Sequence, residues 1–238
     1  MIHRQLALKD GTSASWAIHA AKLLRQYDLP SPFYLLRNPP GKQNFGWKKQ
    51  VKDAIRKYWL TNLLRETRCR VTARFISRYS STPGQVHPVW GLTPCTSYDM
   101  QQAYVKVKMI SGAYWLGADL VKSNIPTSTI CQLCNLETET LEHMVTRCTA
   151  YHEIRDLYFP VIKRTLIQLY GREAYEKSIR SDASILRTIL DPNLIIDVKK
   201  PQTHDTRLYF EHVTRKYLYQ IHNRRVVTLG AMHSNGNA

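Results

Sequence analysis

Apolar side chains recur along this chain at helical rather than strand spacing. Ser13 is placed to cap a helix running through Trp16, Ala20 and Leu24 to about Tyr27, closed by Pro30 and Pro32. A turn-rich linker, Asn38 to Gly46, follows. Beyond it Trp47, Val51, Ala54 and Tyr58 recur at spacings of four, three and four, an apolar stripe that leaves Lys49, Lys52 and Arg56 on another face. A shorter helix is predicted over Val71–Tyr79. Thr82–Pro94 holds too many Pro and Gly residues for a regular element. Ala103, Val107, Ile110 and Tyr114 form the next stripe, with Ser97 or Asp99 as cap and Gly112 as a break. Tyr151–Tyr170 reads as helix, with a kink or break before Pro160 and a stop at Gly171. A short helix spans Ile185–Leu190, and a last one runs from about Asp205 to Leu229 with Phe210, Val213, Tyr217 and Ile221 on one face. The tail MHSNGNA is expected to fray. No region is strand-rich. The predicted class is mainly α, a bundle-like set of helices.

With 238 residues, 43% of them hydrophobic, the chain is long enough to bury a substantial core. No stretch reaches the roughly 18 apolar residues of a membrane span, and the start, MIHRQLALKD, is too charged for a secretory signal. No membrane association is expected. Five cysteines argue against a disulfide scaffold and for an intracellular, nuclear or cytoplasmic setting.

Charge changes the picture. The formal net charge is +16, a balance that suits a polyanionic partner, RNA and/or DNA. Between Arg37 and Arg78 twelve basic residues face only Asp53 and Glu66. Within that segment Lys48, Lys49, Lys52 and Arg56 are the candidate phosphate contacts. Lys199–Arg225 forms a second basic stretch. Cys131–Asp156 runs the other way, with Glu137, Glu139, Glu142, Glu153 and Asp156 against Arg147 and Arg155.

That acidic segment contains CQLCNLETETLEHMVTRC, three of the five cysteines and a histidine within 18 residues. Cys131, Cys134, His143 and Cys148 make a Cys3His set, a closed tetrahedral donor group for one structural Zn ion. Thr138-Glu139-Thr140 reads as a helix start, with Glu139 and Glu142 favouring the positive end of the helix dipole. Five residues of regular helix turn through about 500°, so His143 and Cys148 cannot face one ion from such a helix. The helix is therefore predicted to end, or tighten, just before Cys148. Cys69 and Cys95 have no metal-like neighbours and read as core or semi-exposed thiols, and His87 reads as structural. Three regions follow: 1–128 basic and helical, 129–150 the zinc knuckle, 151–238 helical.

The cluster, with Glu-Thr ahead of Leu-Glu-His and a closing Arg-Cys, resembles the zinc-binding segment that follows the polymerase domain in non-LTR (LINE, jockey-like) retrotransposon reverse transcriptases. SWAIHAAKLLRQYDLPSPFYLL, WKKQVKDAIRKYW and VHPVWG are similar too, so the resemblance covers most of Met1 to about Tyr158. It implies a zinc-binding, nucleic-acid-handling region, its four metal ligands falling on Cys131, Cys134, His143 and Cys148. Such polymerases hold two Mg²⁺ on paired aspartates. This chain has no Asp-Asp pair, and Tyr98-Asp99 is followed by Met100-Gln101. The expectation is a C-terminal fragment without polymerase or endonuclease activity. Two other classes stay open: a scaffold that docks on a polymerase domain or another protein, and a decayed element copy with no selected function.

Overall fold

The apolar stripes fold as helices in the computed structural model, which describes residues 16–41, 45–69, 75–76, 86–194 and 204–235. The chain divides into two compact units, 1–65 and 66–238. That single division falls elsewhere than the boundaries read from the sequence near 128 and 150.

In the first unit α1 spans Trp16–Gln26. Its buried side chains are Ala17 and Ile18, whereas Trp16 is 66% exposed, so the stripe read through Trp16 is rotated. Ser13 lies outside the described residues. Asp28 adopts φ 54 and ends the helix, its neighbour Leu29 donating back to Leu24 O at 2.8 Å. Pro32 does more than close α1. Its fixed φ suits a first helical position, and with Ser31 as cap it opens α2, Pro32–Arg37. Then α3 runs Phe45–Cys69. Trp47, Val51, Ala54 and Tyr58 are half-buried, as the stripe requires, and Tyr58 packs edge-on against Tyr27 at 5.0 Å between ring centres.

In the second unit, after the end of α3, the next helix among the described residues is α4, one turn over Pro88–Gly91, capped by His87 Nδ1, which accepts from Val89 N at 3.2 Å. The irregular reading of Thr82–Pro94 missed this turn. The helix read over Val71–Tyr79 lies outside the described residues except for Phe75 and Ile76. α5 spans Ser97–Ile110, and its cap is Thr96, one residue before the two proposed from sequence. α6 is the short Gly117–Lys122. α7 runs unbroken over His152–Tyr170 through Pro160. The break expected there is absent because Pro160 sits on the exposed face, and so does Asp156, whose carbonyl loses its helical donor to the proline and meets water instead. Gly171, at φ 88, stops α7. α8, Arg172–Ser178, and α9, Asp182–Leu190, follow. Last is α10, His204–Asn235, six residues longer at its C-terminal end than the sequence suggests. Of the tail expected to fray, 232–235 are helical, and 236–238 lie outside the described residues.

α10 packs chiefly on α7 and α5. Its face Phe210, Val213, Tyr217 and Ile221 is buried as read. Tyr217 lies 5.6 Å from the rings of both Tyr158 and Phe159, and its hydroxyl donates to Val145 O. Between α5 and α10 the interior is polar: Lys106 donates to Glu211 at 2.8 Å and to Thr214 at 2.9 Å. Burial lowers the Lys106 pKa, and Glu211 works against that shift. Among the described residues the only β pairing is an isolated bridge between Ile130 and Thr138.

Candidate metal centre

That bridge begins the site. Glu139 N donates to Thr129 O at 2.7 Å and Cys131 N to Glu137 O at 2.8 Å, folding the segment back on itself. The tip closes where Asn135, at φ 56, donates to Cys131 O at 2.8 Å. Asparagine tolerates this left-handed conformation better than most residues. The turn brings Cys131 and Cys134 to one side.

The other two donors come from a helical segment that starts where the Thr138-Glu139-Thr140 stretch was read as a helix start. Thr140 is the cap, its hydroxyl accepting from His143 N at 3.1 Å. From His143 to Arg147 the backbone widens into a π turn, where Cys148 N donates to His143 O at 2.8 Å, five residues back. The expected tightening before Cys148 is thus replaced by widening. The purpose foreseen is met by the opposite distortion: one π turn takes about five residues, so Cys148 returns to the face of His143. Cys148 itself leaves the helix at φ −52, ψ 123.

The donor atoms of Cys131, Cys134, His143 and Cys148 all lie within 4.8 Å of one another. Cys131 Sγ and Cys148 Sγ are 3.8 Å apart, and Cys134 Sγ is 3.3 Å from His143 Nε2. A disulfide needs about 2.05 Å. A tetrahedral ion with metal–sulfur bonds of about 2.3 Å sets its sulfurs about 3.8 Å apart. Backbone amides face each sulfur: Leu133 and Cys134 toward Cys131, Leu136 and Glu137 toward Cys134, Ala150 toward Cys148. Such donors favour thiolates. Burial nevertheless pushes Cys148 up to about 12 and raises Cys131. At Cys134 burial also works against the thiolate, but the two amides and the neighbouring thiols bring it below the ordinary value. A packed set of thiols needs a cation to ionise together, and this donor set suits one.

The centre is part of the core of its unit. Cys131, Cys148, Met144, Val145 and Tyr151 belong to one buried apolar cluster with Leu186, Tyr217 and Ile221. Nor is Glu139 part of a solvated acidic face. Glu139 is 4% exposed. It accepts from Arg225 Nε at 2.9 Å and Nη2 at 3.1 Å, and from Gly117 N at 2.8 Å. Its reading as a dipole residue is overturned, and Arg225 is withdrawn from the basic stretch. Arg215, fully buried beside Thr93, is withdrawn as well. Sequence offered no signal for these pairings beyond a glutamate next to a predicted threonine cap. A Cβ on Gly117 would stand 2.5 Å from Ser128 O and 3.2 Å from Glu139 Oε2. Gly117→Ala is therefore expected to cost about 1–3 kcal/mol, read as a lower denaturation midpoint.

Elsewhere the sequence reading fares variously. His87 is structural, its Nε2 3.5 Å from Asp191. Cys69 and Cys95 are exposed free thiols. Lys48, Lys49, Lys52 and Arg56 are all exposed on α3, in the other unit, and none makes an ion pair with a described residue. At about 100° per residue they fill one arc of the helix beside the Trp47 stripe. Among the described residues no helix is long and apolar enough to cross a membrane. Compared with family models, with curated proteins and with solved structures, the chain matches none.

Proposed function

We propose that this chain is a zinc-stapled, basic helical module that binds RNA and/or DNA. On this reading it is of the kind that follows the polymerase domain in non-LTR retrotransposon reverse transcriptases, works inside the cell, in nucleus or cytoplasm, and has no polymerase or endonuclease activity of its own. The observation that carries the reading is the convergence of the donor atoms of Cys131, Cys134, His143 and Cys148 to within 4.8 Å of one another. Three sulfurs and one imidazole favour zinc over hard cations, which take oxygen. When bound, zinc supplies cross-linking rather than chemistry, because four protein donors leave no open position.

Nucleic-acid binding is assigned to α3, where Lys48, Lys49, Lys52 and Arg56 present their charges to solvent. Replacing Lys49, Lys52 and Arg56 together with Gln is expected to weaken binding to all sequences alike. The salt dependence should flatten by roughly one unit per lost contact, as measured by fluorescence anisotropy at several salt concentrations. Unchanged affinity and slope would leave this face merely solvated. A second reading, a module that docks on a polymerase domain or another protein, is favoured by exposed aromatics in the same unit: Phe45 at 83%, Trp16 at 66% and Trp59 at 53%. It predicts weak, salt-insensitive association with nucleic acid.

A further inference from the structure

His143 is sealed from solvent, 1% exposed, and its two ring nitrogens face different partners. Nε2 points at the sulfur cluster, 3.3 Å from Cys134 Sγ. Nδ1 is buried without a hydrogen bond of ordinary geometry and faces the Glu137 carboxylate, with Oε2 3.4 Å away. A neutral imidazole that binds a metal through Nε2 carries its proton on Nδ1, and a buried N–H left without an acceptor is strongly disfavoured.

Glu137 is itself held at two points, backbone and side chain. Its carbonyl accepts from Cys131 N, so its backbone sits on the turn that carries the first ligand pair. Its Oε2 lies 3.2 Å from Arg147 Nε. Arg147 Nη1 in turn reaches Glu142 Oε1 at 3.1 Å and Asp182 Oδ2 at 3.0 Å. Arg147, Glu137, Glu142 and Asp182 have side chains 33–47% exposed. Ion pairs this exposed stabilise a fold little, so stability is a weak account of three carboxylates gathered on one guanidinium. Orientation of the sealed imidazole behind them is a better one.

We propose that Glu137 is the positioning residue of the metal site: it accepts the Nδ1–H of His143, fixes Nε2 as the ligand atom, and is held there by Arg147 and Asp182. This rests on the zinc reading and extends the site beyond the knuckle, to the first residue of α9. A carboxylate behind a ligating histidine fixes the ring and raises its basicity.

The test uses the full chain. Zinc affinity is measured by competition with a chromophoric chelator for wild type, Glu137→Ala, Glu137→Gln and the distant control Glu176→Gln. Long-range ¹H–¹⁵N spectra of zinc-loaded wild type report which His143 nitrogen holds the proton. Glu137→Ala is expected to weaken zinc by about 10–100-fold. Glu137→Gln should lose less, since its amide oxygen still accepts, and the control should match wild type. The spectrum should show a proton on Nδ1 and the metal on Nε2. Affinity of Glu137→Ala within twofold of wild type overturns the proposal, as does metal on Nδ1. Should Glu137→Ala fail to fold, the wild-type spectrum decides. If wild type takes up no zinc, the zinc reading itself fails; if it does and Glu137→Ala is indifferent, only the positioning role fails.

Discussion

Chelation is expected to unfold most of the 66–238 unit rather than the knuckle alone. Structural zinc contributes on the order of 10 kcal/mol in small modules, comparable with the whole net stability of a domain, about 5–15 kcal/mol. In this chain the donors are not on a detachable lobe. Cys148 is 0% exposed and Cys131 2%. Val145, inside the π turn, accepts the Tyr217 hydroxyl from the middle of α10. Without the cation the π turn keeps its Tyr217 contact but loses the cross-link that returns Cys148 to the face of His143 and ties it to Cys131 and Cys134. Freshly purified protein should carry about one zinc per chain by elemental analysis. A strong chelator, or Cys148→Ser, should lower the melting temperature by tens of degrees or abolish the cooperative transition. Hydrogen-exchange protection should fall along α7 and α10 as well as around Leu141–Tyr151. Cys69→Ser and Cys95→Ser, at exposed positions, should change neither metal content nor melting. Protein that lacks zinc, takes none up and still melts cooperatively would sink the assignment. Acid should act as chelator does, since thiolate and imidazole must be deprotonated to bind; metal release with falling pH is the expected sign.

What the sequence disclosed was set by periodicity and spacing. Phe210, Val213, Tyr217 and Ile221 recur on one face, and that face is the buried one. Cys131, Cys134, His143 and Cys148 were legible because metal ligation imposes short spacings on rare residue types. Long-range polar pairings leave no such trace. Lys106 and Glu211, buried against each other at 2.8 Å, look in sequence like solvated helix positions, and so does Arg225. The π turn was foreseen only as a geometric problem: regular helix could not serve both His143 and Cys148, but local sequence does not say whether the backbone tightens or widens to serve them. Pro160 misled for a related reason. Its cost depends on whether the carbonyl it strips faces water, and that is decided by the tertiary packing of α7.

The acidic knuckle and the basic C-terminal stretch, opposed in sequence, are joined in the fold, and this sets the second large effect. Glu139 and Arg225 meet through two hydrogen bonds, with side chains 6% and 18% exposed. Bidentate pairs of this kind are geometrically demanding. Here Glu139 also accepts Gly117 N, so one carboxylate ties the knuckle to α6 and α10 together. Gain from such a pair is offset by desolvation, yet removing one partner leaves a buried charge and costs about 3–5 kcal/mol. Arg225→Met and Glu139→Met are each expected to lose about 3 kcal/mol, read from denaturant unfolding of zinc-loaded protein. The double replacement should be no worse than either single one, because it leaves no orphaned charge. Arg225→Lys should fall between, since an ammonium cannot span both carboxylate oxygens as a planar guanidinium does. Zinc stoichiometry should stay at one throughout, because neither residue is a ligand. If both single variants unfold within about 0.5 kcal/mol of wild type, the range of an ordinary surface substitution, the latch contributes nothing and the knuckle is held to α10 by Tyr217 and apolar packing alone.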